Sequence, residues 1–287
     1  MWLGFAAAFL TGLTWTLSGV TLSRCARGRF DMVAYGLAQT LFTVALTLLF
    51  YLRPGEFAWR SFSILLAFVT TGGLLNSFAQ SLVRHAMTLG NHGPVWAISQ
   101  AALVIPFLAG VALFGQSAGI GQWAGTALIA CGILIPVLGE LRAPGSWLVP
   151  TLATFLLLGA VHTLFLVPSQ LPGFRDAAGL RPALSAFGGF LGWCVPAARR
   201  EKIDWNRRTL LLSFAMALLS LVSLKIFFLS LDLLSGVGCG ATAVPLILGA
   251  NILGFACYSR LVLKERPTAP QRWGMAAVLA GVSAIAL

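Results

Sequence analysis

The chain has 287 residues, of which 58% are hydrophobic and 9% are charged. Soluble domains carry roughly 25% charged residues, so this composition excludes a water-soluble globular protein. The formal net charge of +11 would be compatible with binding to nucleic acid. However, the basic residues lie in short segments between apolar runs, where they determine topology and contact anionic lipid headgroups. We therefore predict a membrane protein whose partners are lipids and a small solute, and which does not bind nucleic acid.

Ten apolar runs follow one another along the chain, most of them close to the roughly 20 residues that cross a bilayer as a helix. They are predicted at residues 2–22, 31–52, 61–83, 93–114, 122–140, 147–168, 183–198, 209–231, 235–262 and 270–287. The seventh run is shorter than the others and rich in glycine. The predicted fold class is all-α, a polytopic membrane protein with ten transmembrane helices.

The basic residues are distributed unevenly over the connections between these runs. The odd-numbered connections hold fourteen Lys and Arg residues, and the even-numbered connections hold four. An excess of Lys and Arg marks the cytoplasmic side of a membrane protein. We therefore predict that both termini are extracytoplasmic.

A short pattern recurs in the two halves of the chain. Its residues stand at a constant offset of 149 residues: Gln122, Gly125, Ala127 and Gly132 against Gln271, Gly274, Ala276 and Gly281. Each copy opens the last predicted helix of a five-helix half, and a duplicated unit with an odd number of spans inserts in the opposite sense. The sequence therefore predicts two inverted repeats, residues 1–143 and 144–287, with a site near the midplane where they meet.

Lys225 lies near the middle of the apolar stretch from Thr209 to Leu231. An ammonium group at that depth costs about 2.5–3.5 kcal/mol on the more lenient insertion scale, so such residues usually face a hydrated cavity. A functional Lys225 would supply a positive charge for a carboxylate or phosphate substrate, or take part in proton transfer. Alternatively, its stem extends toward the membrane face, or it forms a structural pair with Asp232.

Other polar and aromatic residues recur at helical spacing, so that they share a face of a predicted helix. With Lys225 they form the predicted substrate-binding set: Lys225, Asn76, Gln80, Trp15, Trp96, Gln100, His162, Asn251 and Tyr258. Amide and imidazole side chains also link membrane helices to one another, so a structural role stays open for them. For Thr11, Thr43 and Thr47 we expect hydrogen bonds to carbonyls of their own helices.

Prolines and cysteines complete the set of residues with a predicted role. Pro94 and Pro245 begin or bend the fourth and ninth runs and are predicted hinges for gating, with simple packing as the alternative. The five cysteines are scattered without C-x-x-C spacing, which indicates neither a metal site nor a disulfide framework. We predict no cofactor.

Roughly the last sixty residues resemble the second-half signature of the ten-helix EamA-type branch of the drug/metabolite transporter superfamily. The residues that carry the resemblance are Pro245, Leu246, Leu263, Lys264, Glu265, Arg266, Pro267, Thr268, Gln271, Gly274 and Gly281. The first half departs from the family pattern. Gln116 stands about where the family has Glu, and Pro94 matches Pro245 only after a slip of two residues.

The resemblance implies a central cavity lined by helices one to four and six to nine, with helices five and ten at the periphery. It also implies alternating access through rocking of the two halves. Together with the Arg-, Ala-, Leu- and Gly-rich composition, it implies the inner (plasma) membrane of a bacterial-type cell.

The leading functional hypothesis is a secondary-active transporter, not an enzyme, that acts as a monomer. Its substrate would be a small polar metabolite such as an amino acid or organic acid, with protons as a candidate coupling ion. No G-x-x-x-x-G-K-[ST] motif occurs, which argues against ATP drive within this chain. The near absence of Asp and Glu from the runs argues against a cationic substrate. The alternative hypothesis is a membrane-embedded transferase-type enzyme, which would need a catalytic constellation near one membrane face.

Overall fold

The computed structural model describes residues 2–51, 59–115, 118–140, 146–170, 180–237 and 240–286. These residues are helical almost throughout, and none of them forms a strand. In chain order the helices are α1 (Trp2–Ala26), α2 (Met32–Tyr51), α3 (Trp59–Leu65, Leu66–Thr70 and Thr71–Leu89), α4 (His92–Gln100, Ala101–Leu103 and Val104–Phe114), α5 (Ile120–Glu140), α6 (Leu148–Gln170), α7 (Arg181–Ala198), α8 (Arg207–Ser235), α9 (Gly240–Tyr258 and Ser259–Leu263) and α10 (Ala269–Ala286).

Seven helical stretches in this part of the chain are long and apolar enough to cross a membrane. They belong to α1, α2, α3, α4, α6, α8 and α9, and α5 adds the shorter apolar stretch Ile120–Ile135. The predicted all-α, polytopic class is therefore confirmed. The helices α7 and α10, with 18 residues each, are not among the seven.

Two predicted boundaries are wrong by five or six residues. The third run was predicted to end at residue 83, but α3 continues to Leu89. The ninth run was predicted to start at residue 235, but α8 continues to Ser235 and α9 begins at Gly240. The leucines around Leu231 and Leu234 extend the eighth helix, since they are buried in its packing and favour helix. The chain turns only at Gly236, where the glycine-rich segment begins.

The middle of α4 is not a regular α-helix. The backbone tightens to a 3-10 turn at Ala101–Leu103 before the helix resumes at Val104. Pro106 explains this interruption, because it has no N–H to donate to the carbonyl of Ala102 four residues earlier. The turn directly follows Gln100, which is one of the predicted site residues.

Helices from the two halves of the chain are extensively interleaved. The helix α1 packs against α8 and α9, α2 against α7 and α8, and α3 against α6 and α7. Among the described helices, α5 has only α10 as an extensive partner. Eight helices therefore surround the centre of the molecule, while α5 and α10 form a pair beside them.

Glycines bring α5 and α10 into backbone contact. A Cβ atom placed on Gly132 would lie 2.7 Å from the carbonyl oxygen of Gly274, and one on Gly281 would lie 2.5 Å from that of Gly125. Both distances are too short for a real side chain, so the contact requires glycine. The repeated spacing of the sequence pattern thus corresponds to a helix–helix interface.

Substitution at this interface provides a first prediction. We expect Gly281→Ala to destabilise the protein by on the order of 1–3 kcal/mol, because a backbone carbonyl cannot move aside as a flexible side chain would. Gly121→Ala in α5 is the matched control. A Cβ there would lie 3.4 Å from the carbonyl oxygen of Ala284, which is an ordinary contact distance, so we expect a change within about 0.5 kcal/mol. The thermal midpoints of the two variants are measured in detergent micelles. Equal midpoints would contradict the close backbone contact between α5 and α10.

Candidate functional site

A cavity of about 160 Å³ lies among the eight central helices. One water molecule needs roughly 10–15 Å³ on the same measure, so the cavity has room for a small metabolite. Its lining residues belong to α1, α2, α3, α4, α6, α7, α8 and α9, and none of the described residues of α5 or α10 is among them. This is the arrangement that the family resemblance implies.

Half of the residues that line this cavity have polar side chains. Its polar lining residues are Thr14, Ser18, Gln39, Thr40, Thr43, Asn76, Ser77, Gln80, Gln100, His162, Ser185, Ser220, Ser223 and Asn251. Three tryptophans and several aliphatic side chains complete the lining. No Asp, Glu, Lys or Arg is among the described residues that line it.

The structure brings seven of the nine predicted substrate-binding residues to this wall: Trp15, Asn76, Gln80, Trp96, Gln100, His162 and Asn251. Lys225 and Tyr258 are not among the lining residues. Leu224 lines the cavity, but Lys225 is turned about 100° from it around the axis of α8. Tyr258 packs against Phe255, with the ring centroids 5.5 Å apart.

Asp232, the alternative partner considered for Lys225, forms an ion pair with another residue. Its Oδ1 atom lies 3.2 Å from an Nη1 atom of Arg181, whose side chain is fully buried. The guanidinium of Arg181 also lies over the ring of Phe228, 5.2 Å from its centroid. The interaction therefore joins the start of α7 to the end of α8.

Three of the predicted site residues are hydrogen-bonded to one another. The indole Nε1 of Trp96 donates to Oδ1 of Asn251 at 3.2 Å, and Nδ2 of Asn251 donates to Oε1 of Gln100 at 3.3 Å. These bonds connect α4 to α9. The indole N–H of Trp96 is thus satisfied within the protein, whereas the amides of Asn251 and Gln100 are satisfied in part.

The side chains of Asn76 and Gln80 differ from these three because they are not hydrogen-bonded to other described residues. They lie four residues apart on α3, so they share one face of that helix, and both are half-buried on the cavity wall. Neither amide has a hydrogen-bond partner among the described residues. All donors and acceptors of these two amides are therefore available to a bound solute.

His162 lies in the middle of α6 and is 5% exposed. Its ring stacks on that of Trp15, with centroids 5.7 Å apart and an interplanar angle of 16°. Neither Nδ1 nor Nε2 has a hydrogen-bond partner in the part of the chain that the structure describes. An unpaired buried polar group costs about 1–3 kcal/mol, so this ring invites a functional explanation.

Several lining residues are not among the predicted site residues. On one side of the cavity, Nε2 of Gln39 donates to Oγ of Ser220 at 3.0 Å. Gln39 stands four residues before Thr43, and this helical spacing is the signal by which it could have been found. The hydroxyl of Thr43 donates to the carbonyl of Gln39.

The expected role of the three threonines is confirmed. The hydroxyls of Thr11 and Thr47 also donate to carbonyls four residues earlier in their own helices, those of Ala7 and Thr43. Such bonds satisfy the hydroxyl locally. Thr43 nevertheless contributes to the cavity wall.

A second polar cluster lies at the N-terminus of α4. The carboxylate of Glu265 accepts hydrogen bonds from the backbone N–H groups of His92 and Gly93, both at 2.9 Å, and from Oγ of Ser259 at 2.7 Å. Nδ1 of His92 lies 2.8 Å from Oγ of Ser23. We call these five residues the α4 cap.

The α4 cap explains the position of the first predicted hinge. Pro94 is the third residue of α4, where the missing N–H removes no bond within the helix. Lys264 adopts a left-handed conformation with φ 55°, which ends the helical chain just before Glu265. The second predicted hinge, Pro245, lies near the start of α9.

The described residues contain no group of three His, Cys, Asp or Glu side chains placed to hold a metal ion. Comparisons with known proteins bear on the fold alone. No family model and no curated protein sequence matches the chain.

Fifteen solved chains are similar in structure. One of them, described as "Crystal structure of protein", is 14% identical, with a TM-score of 0.62 over 99% of this chain and 96% of that chain. The chain therefore has the overall fold of that protein along nearly its whole length. At this level of identity the likeness extends to the fold only.

Proposed function

We propose that the chain is a secondary-active transporter of the ten-helix EamA-type branch of the drug/metabolite transporter superfamily. It moves a small polar metabolite by alternating access through the central cavity. The observation that carries this proposal is a cavity that is large enough for a metabolite, half lined by uncharged polar side chains and surrounded by apolar helices. Carriers place their substrate sites in the bundle centre in this way.

The proposed architecture is two inverted repeats, residues 1–143 and 144–287. The boundary between residues 143 and 144 lies outside the described residues. Support comes from the glycine contacts of α5 and α10, in which Gly125 meets Gly281 and Gly132 meets Gly274. The order of contacts is reversed along the two helices, so they run antiparallel. Opposite directions for the last helices of the two halves are what inverted repeats require.

Further support comes from Gln100 and Asn251. The slip that aligns Pro94 with Pro245 also aligns these two residues, and they are hydrogen-bonded to each other. A residue that contacts its own counterpart is expected on a two-fold axis. Helix packing agrees with this, since the α1–α9 and α1–α8 contacts have the counterparts α4–α6 and α3–α6.

The proposed gating contacts lie on the side that the Lys and Arg count assigns to the cytoplasm. There the α4 cap joins the α9–α10 connection to the first half of the chain. An ion pair of 2.9 Å between Arg200 and Asp31 joins the end of α7 to the start of α2. Opening of the cavity toward the cytoplasm would separate these groups, with Pro94 and Pro245 as hinges.

Transport through the cavity is testable with two substitutions on α8. Ser220 lines the cavity, whereas Leu218 is 41% exposed on the outside of the bundle. In proteoliposomes, we expect the wild-type protein and Leu218→Trp to take up a labelled polar solute. The panel comprises amino acids, organic acids, carboxamides and polyols, each with and without a pH gradient. We expect Ser220→Trp to abolish uptake because the indole fills the cavity, and equal uptake by both variants would contradict this route.

The remaining features of the proposal are expectations from the sequence and from the family resemblance. They are an inner-membrane location, extracytoplasmic termini, a monomer, and protons as a candidate coupling ion. A transferase-type enzyme is the alternative, and it would need an acid partner to orient His162 as a base. No acidic residue is among the described residues that line the cavity, so the transporter is favoured.

A further inference from the structure

The described wall of the central cavity offers hydrogen bonds but no formal charge. An ion that moves from water into such a site loses hydration without gaining a counter-charge, and the effective penalty is several kcal/mol. Lys225 was the predicted source of positive charge, but it is not among the lining residues. The wall therefore disfavours a carboxylate or phosphate substrate.

Cations are disfavoured for a second reason. Aromatic faces can replace a carboxylate in binding a cation, but the rings of Trp15 and Trp96 contact other side chains, and Trp193 is only 2% exposed. Trp15 contacts His162 and Phe227, with ring centroids 5.7 and 5.2 Å away. Trp96 packs against Phe255 at 5.1 Å and is 4% exposed.

The polar groups of the wall without a hydrogen-bond partner among the described residues include the ring nitrogens of His162 and the amides of Asn76 and Gln80. Each amide presents an N–H₂ donor and a carbonyl acceptor, and neither is hydrogen-bonded to a described residue. A partner that satisfies both halves of an amide must itself carry donors and acceptors side by side. Hydroxyl groups and carboxamides meet that requirement without charge.

We infer that the substrate is an uncharged polar solute with adjacent hydrogen-bond donors and acceptors, of the polyol or carboxamide class, held by Asn76 and Gln80. This inference rests on the proposed function in so far as the bound solute is the transported one. It replaces the amino acids and organic acids that the sequence suggests.

The test uses pairs of solutes that differ in charge but little in shape: lactamide and lactate, nicotinamide and nicotinate, ribitol and ribonate. Each is added to the purified full chain in detergent micelles, and the thermal midpoint is recorded, because a ligand that binds the native state raises it. We expect at least one uncharged member to raise the midpoint by several degrees, and its acid partner to leave it unchanged.

The matched variants are Gln80→Met in the cavity and Gln122→Met on α5, outside it. Gln80→Met is expected to require at least tenfold more solute for the same rise, while Gln122→Met responds as the wild type does. Without solute, Gln80→Met should have a midpoint no lower than the wild type, since it removes no bond within the described protein.

The outcomes separate this inference from the proposed function. A rise caused by the acid members, or by no member of any pair, overturns the inference, as does an unchanged response of Gln80→Met. Uptake of an acid by proteoliposomes would overturn it while leaving the transporter proposal intact. Binding of an uncharged solute without uptake of any solute would support the site and overturn transport.

Discussion

Replacement of Glu265 by alanine is expected to lower the stability of the protein by about 2–4 kcal/mol. The carboxylate accepts three hydrogen bonds, two of them from backbone N–H groups at the start of α4. A carboxylate at a helix N-terminus is also stabilised by the helix dipole. The loss corresponds to on the order of 5–10 °C in thermal midpoint, measured on purified protein in detergent micelles.

Two further variants show whether the contacts of Glu265 are responsible. Glu265→Gln keeps one acceptor oxygen and should lose only part of the stability. Arg266→Ala changes the exposed neighbouring residue and should remain within about 0.5 kcal/mol of the wild type. If Glu265→Ala and Arg266→Ala had the same midpoint, the α4 cap would not link the two halves of the chain.

Replacement of His162 by phenylalanine is expected to stabilise the protein while abolishing uptake. The two buried ring nitrogens have no described partner, and their removal should relieve about 1–3 kcal/mol, or roughly 2–6 °C in thermal midpoint. A phenyl ring keeps the stacking on Trp15. Uptake should be lost because the ring can no longer hydrogen-bond a solute.

The control for this substitution is His162→Ala, which removes the stacking and leaves a void against Trp15. It should lower the midpoint, since large-to-small changes in a packed interior cost about 2–5 kcal/mol. Full uptake by His162→Phe, measured in proteoliposomes, would give the imidazole a purely structural role. A fall in midpoint as large as that of His162→Ala would mean that the ring nitrogens are paired.

The fold was predictable from the sequence because the apolar runs are long and separated by charged connections. The fold class is confirmed, and the one misplaced start lies where leucines extend α8 beyond residue 231. The repeated Gln-x-x-Gly pattern also marks a helix–helix contact, since Gly125 and Gly274 lie where α5 packs against α10. Spacing alone, however, does not show which atoms a glycine approaches.

The site was predictable in part. Helical spacing and polarity were enough to place Asn76, Gln80 and His162 correctly on the cavity wall. Lys225 shows the limit of that reasoning, because the cost of burying an ammonium predicts that it avoids lipid but does not predict which residues line the cavity. The bonds of Glu265 to α4 join residues more than 170 positions apart, and no local pattern encodes such a contact.

The antiparallel backbone contact between α5 and α10 has a mechanical consequence. Where backbone touches backbone, there are no side-chain rotamers to rearrange, so the spacing of these two helices stays fixed while others shift. In the proposed alternating-access mechanism, this contact would be the fulcrum about which the two halves turn. Among homologues of this protein, substitutions should then be rarest at the four glycines of this contact, although they do not line the cavity: Gly125, Gly132, Gly274 and Gly281.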